Sequence, residues 1–131
     1  MDKMNEIAKM SKKERLKKNV YTIEDILEYL GRWRSTGLAL VCRFIVDEGI
    51  KDENVEKKLF EISDRLDQSR LEHKVYAAYR VGHLAMSTLI KLGITEEEIF
   101  KQIALDDFDK QLVLDFTGSD FWECELNEQN G

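Results

Sequence analysis

His73, Tyr76, Arg80 and His83, with Ser69 and Ser87 beyond them, recur at steps of three, four and seven and so fall in one narrow helical sector. Two imidazoles, a phenol and a guanidinium in line could bind an anion or an RNA backbone, and the same line would serve as the solvent edge of a packed helix. Acidic pairs occur at Glu24-Asp25-x-x-Glu28 and Glu61-x-x-Asp64, where carboxylates could supply oxygen to a hard cation or simply solvate a helix. No Ser-His-Asp arrangement, glycine-rich phosphate loop or metal-ligand cluster is legible. Cys42 lies in the apolar run Leu38-Ala39-Leu40-Val41-Cys42 and Cys124 in a polar tail, which is neither disulfide-framework nor zinc spacing. Cys42 therefore reads as a small buried hydrophobe. No catalytic residue, cofactor or metal is expected.

The six residues Gln111-Leu112-Val113-Leu114-Asp115-Phe116 could act as a docking peptide. Laid out in extended form, they would place Leu114 and Phe116 as apolar anchors in a groove while the Gln111 amide sets the register. The hexapeptide resembles the segment with which bacterial DNA polymerases and repair proteins grip the ring-shaped sliding clamp, a pattern met by Gln111, Leu114 and Phe116. Asp106, Asp107, Asp109 and Asp120 around it would steer a basic partner. Phe108, Leu112 and Phe116 also fall at i, i+4 and i+8, the spacing of the core face of a terminal helix. Both readings stay open from the sequence.

Residues 21–36 resemble the first helix, glycine turn and second-helix start of a helix-turn-helix. That likeness would make Arg32, Arg34, Ser35, Thr36 and Arg43 the contacts to bases and phosphates. Leu27, Arg32 and Gly37 depart from the motif's usual small and apolar positions, and the net charge of −6 is opposite to a basic footprint. The paired acids resemble the motifs by which all-α nucleoside triphosphate pyrophosphatases hold magnesium. The long gap between the pairs, and Arg65 and Asp67 within the second stretch, depart from that family.

The elements that would position these groups are helical. The 131-residue chain contains no proline, is rich in Leu, Glu, Lys, Ile and Ala, and is long enough for one domain with a single core. Ser11 and Glu14 begin a short basic helix in a segment, 1–20, that is expected to fray. Thr22 caps a helix buried through Ile23, Ile26, Leu27 and Leu30, with Asp25 closing a capping box. A largely apolar helix follows from Ser35 or Thr36 to Glu48, stopped by Gly49. Asp52 caps a long central helix over about 54–92. Its apolar stripe shifts near Ser69-Arg70 so that a kink or two partly separate packing faces follows, and its small residues Ala77, Ala78, Gly82 and Ala85 admit a close neighbour within the monomer or across a homodimer. Gly93 ends it, and Thr95 with Glu98 starts the next. Residues 118–131 read as a loose acidic tail.

Charge is distributed unevenly. Residues 1–20 carry seven basic groups against three acids, 21–95 eleven against twelve, and 96–131 two against eleven. No apolar run approaches the roughly 20 residues that span a bilayer, and the start lacks the apolar stretch of a secretory signal. The expectation is an intracellular, cytoplasmic all-α bundle of four or five helices over 21–117. It would bind a larger protein or nucleoprotein assembly, with direct nucleic-acid contact as the weaker alternative.

Overall fold

The stretch Val81 to Leu89 contains no Asp, Glu, Lys or Arg, and it forms a helix buried along its whole length. A helix apolar on every side satisfies its surface only at the middle of a bundle. The computed structural model describes residues 2–32, 35–64 and 79–123. Among them are eight α-helices and no strand: α1 (Asp2–Lys9), α2 (Lys12–Lys18), α3 (Ile23–Arg32), α4 (Ser35–Asp47), α5 (Glu53–Ser63), α6 (Val81–Lys91), α7 (Glu96–Gln102) and α8 (Asp107–Thr117). A 3-10 turn, Asp120–Trp122, follows. Helix α6 packs against α4, α5 and α8, while α3 closes the bundle against α4 and α5. One hydrophobic core joins them. No helix of the described residues is long and apolar enough to cross a membrane.

The helix starts follow from short polar side chains that occupy otherwise unsatisfied backbone amides. Ser11 accepts from the Glu14 amide at 3.2 Å, Asp52 from Asn54 and Val55 at 2.9 and 3.1 Å, and Thr95 from Glu98 at 3.2 Å. At α3 the capping box is reciprocal: the Asp25 amide donates to Thr22 Oγ1 at 3.0 Å, and the Thr22 amide to Asp25 Oδ2 at 3.1 Å. Gly49 and Gly93, at φ +59° and +102°, provide the left-handed turns after α4 and α6.

Four expectations change. A single long helix over 54–92 does not form: α5 ends at Ser63, Arg80 is extended (φ −113°, ψ 168°) and α6 begins at Val81. The His83 ring explains that start: its Nδ1 accepts the Arg80 amide at 2.9 Å and so caps the helix. Residues 65–78, with Ala77 and Ala78, lie outside the described residues. The basic segment is packed rather than frayed. Ile7 is buried in the core, and Arg15 holds Asp25 with Nε at 2.6 Å and Nη2 at 3.1 Å while donating to the Met10 carbonyl at 2.7 Å. The core also runs past 118, since Phe121 and Trp122 are buried; 124–131, including Cys124, lie outside the described residues. With the head and the 94–122 stretch ordered, the bundle has more, shorter helices than four or five.

Among the described residues Phe116 is the largest fully buried side chain, wedged among Tyr79, Phe121 and Trp122 with ring centroids 4.8, 4.9 and 5.9 Å away. Truncation there leaves a cavity that the surrounding rings can fill only in part. Phe116→Ala should cost about 3–5 kcal/mol in urea unfolding. Phe108→Ala, at a position facing water, should stay within about 0.5 kcal/mol.

Candidate functional site

The hexapeptide is the body of α8. Phe116 is 0% exposed and Val113 is buried, Leu112 and Leu114 are half-buried, and exposed Gln111 donates to Asp115 at 2.9 Å. The Phe116 carbonyl also accepts Trp122 Nε1–H at 3.1 Å and Ser119 Oγ–H at 2.6 Å. In this fold the segment is therefore no extended peptide, and Phe116 cannot reach a partner without opening the core. Phe108 takes the opposite position, with 71% of its surface exposed. Each four-residue step turns about 40° beyond a full circle, so Phe108 and Phe116 stand about 80° apart around α8. The apolar row at 108, 112 and 116 thus begins in water and ends in the core.

Two of the four aspartates expected to steer a partner have structural duties. Asp106 caps α8 by accepting the Asp109 amide at 2.8 Å, and Asp109 Oδ1 lies 3.0 Å from His83 Nε2. Asp120 begins the 3-10 turn, and exposed Asp107 occupies the first turn of α8. An outer surface results on α8: Phe108 and Leu112 one turn apart, Gln111 and Asp115 beside them, and Asp107 at the helix start. Lys110 turns away to lie 5.7 Å over the Phe100 ring of α7.

His83 does not face an anion from solvent. His83 is 1% exposed; because its Nδ1 accepts from the Arg80 backbone, its Nε2 carries the proton and donates to Asp109. Burial lowers its pKa, the hydrogen bond and charge of Asp109 oppose that, and Arg80 adds to it. The imidazole is a neutral strut between α6 and α8. His73 and Tyr76 lie outside the described residues.

The nucleic-acid reading loses Arg43, which is 7% exposed. Its Nη1 donates to the Phe121 carbonyl, its guanidinium sits 5.8 Å over the Phe121 ring, and its Nε is 3.6 Å from Asp47. This cation secures the C-terminal turn to α4 instead of facing a phosphate. Arg34 and the side chains of Arg32, Ser35 and Thr36 lie outside the described residues.

Of the paired acids, Asp25 and Glu28 are engaged by cations of the head and Glu61 by a lysine of its own helix. Burial raises the Asp25 carboxyl, but the Arg15 bidentate pair and the Thr22 amide outweigh it and hold the pKa below its usual value. Glu28 meets Lys12 at 3.1 Å, and Glu61 meets Lys58 at 3.6 Å. Among the described residues no three His, Cys, Asp or Glu side chains group to hold a metal. Cys42 is a free buried thiol, pushed up to about 12 by burial against a weaker opposing hydrogen bond with Thr88, so it is protonated at neutral pH.

The surface at Phe108 was missed in the sequence because the same spacing supported a core face. The signal was present in Asp106-Asp107-Phe108-Asp109, an aromatic inside three acids. Fold and site together define an all-α protein with an acidic, aromatic-bearing outer helix. Comparison with family models, with curated protein sequences and with solved structures finds no match to this chain.

The buried strut makes stability depend on pH. Since the folded His83 pKa lies below 6.5, the unfolded chain takes up the proton first, so stability is full above 6.5 and declines as pH drops through that value. Asp25 acts in a lower window, where its contribution is lost as pH falls below 3.8. Urea midpoints of His83→Gln should lose the slope below 6.5 and keep the acid one; an unchanged slope would remove His83 from this role.

Proposed function

We propose that this chain is a small acidic helical binding protein that docks on a larger basic protein or nucleoprotein assembly in the cytoplasm and modulates it. The observation that carries this reading is Phe108, a large aromatic side chain held 71% exposed by a well-capped helix. A buried aromatic would serve the fold, whereas this one adds nothing to the core and is displayed in an acidic field. Residues 96–123 carry nine acids against Lys101 and Lys110, which favours a basic surface as partner. Phe108 and Leu112 supply the apolar anchors that limit dissociation, and Asp107 and Asp115 the charges that speed encounter. Leu114 and Phe116 contribute by holding α8 in place. The reading requires a folded α8, because removing the chain beyond Asp106 would take Val113 and Phe116 out of the core.

Affinity purification of the full chain from its native host tests this, with Phe108→Ser and the pair Asp107→Lys, Asp115→Lys beside the parent. A basic protein should be recovered with the parent, dissociate faster from Phe108→Ser and associate more slowly with the lysine pair. Equal recovery by all three, with unchanged melting temperatures, would refute docking through α8.

A further inference from the structure

Two large apolar side chains stand out in water among the described residues, Phe108 at 71% and Leu16 at 44% exposed. They sit in opposite electrostatic settings. Leu16 lies on α2, Lys-Lys-Glu-Arg-Leu-Lys-Lys, where Lys12 and Lys13 precede it by one helical turn on the same face. Phe108 lies on α8 between Asp107 and Asp109, with Leu112 one turn on and Asp115 nearly two. One surface is a leucine in a cationic field and the other a phenylalanine in an anionic field. Each matches the other in apolar content and in sign.

Within one molecule Leu16 and Phe108 both face water, and their helices are held by other elements. Ion pairs tie α2 to α3, through Arg15 to Asp25 and Lys12 to Glu28, and Lys3 of α1 reaches Glu48. Helix α8 is seated on α6, with His83 bonded to Asp109 and Ser87 Oγ 2.8 Å from Thr117 Oγ1. Among the described residues, every ion pair made by the basic head goes to an acid in the first half of the chain. Among the same residues the acids of α7 and α8 receive none of these cations, so they are left to face a basic surface on another molecule.

We infer that the chain associates head to tail with a second copy of itself, the basic face of α2 around Leu16 seating on the acidic face of α8 around Phe108. Such an interface joins different patches and leaves one of each unsatisfied at the two ends. Assemblies therefore grow with concentration unless the rotation closes a ring. Charge contributes to attraction across the contact, so salt weakens it. This inference needs only the two surfaces of this chain and stands apart from the identity of any other partner; a basic partner on α8 would compete with the second copy.

Sedimentation velocity of the full chain at rising concentration, at ionic strengths of about 0.01 M and about 1 M, tests it. The parent should associate at low salt and return to the monomer at high salt. Leu16→Ser and Phe108→Ser alone should each stay monomeric with parental melting temperatures. Mixed, they should form a one-to-one complex that grows no further, because the intact α2 of one meets the intact α8 of the other. A parent that is monomeric at low salt, self-association retained by either variant, or a mixture that stays monomeric would each overturn the proposal. The first and third of these outcomes would leave α8 to a different basic partner.

Discussion

Burying α6 imposes the constraint on which the rest of the molecule depends. Three of its nine buried residues at 81–89 have polar side chains, and a buried polar group without a partner costs more than a normal hydrogen bond returns. His83 is satisfied by the Arg80 amide and Asp109, Ser87 by Thr117, and Thr88 by the Leu84 carbonyl at 2.7 Å. Two of these partners lie at opposite ends of α8. The polar groups of the central helix therefore fix where α8 sits, and with it which side of α8 faces water.

This arrangement divides α8 into two parts with different work. Val113 and Phe116 complete the core, and Phe116 further organises Tyr79, Phe121 and Trp122 so that the C-terminal turn folds back over the bundle. Arg43 reinforces that turn from α4. The solvent-facing side, with Phe108, Gln111 and Asp115, takes no part in the core. A partner that reads this side meets a rigid helix surface, so little ordering entropy opposes binding. A released peptide would instead require the loss of the whole aromatic cluster. Acidic residues are similarly divided: Asp106 and Asp109 build the helix, while Asp107 and Asp115 shape the field outside it.

Much of the helical punctuation was legible in the sequence, because a cap is a local arrangement of a few residues. Ser11, Thr22 with Asp25, Asp52, Gly49, Gly93 and Thr95 all perform as their types and spacing imply. What depended on distant partners was less legible. His83 follows helical periodicity with Arg80, yet its ring caps the start of α6, and Asp109, twenty-six residues on, holds it in the core. Arg43 looked like a surface cation until Phe121, seventy-eight residues away, supplied its carbonyl acceptor. The core strip of α8 was half legible, since i+4 spacing places Phe116 inward but drifts enough to turn Phe108 out. Periodicity identifies a face, and only packing decides which end of it is covered.

Native-state amide hydrogen exchange over residues 107–117 tests most directly whether α8 is a folded platform set by α6. The account predicts that the amides of 111–117 are protected to the same degree as those of 84–90, since both helices share one core and open together. Exchange of 111–117 at the rate of an unstructured peptide, with α6 still protected, would contradict it and would make the segment a detachable strip.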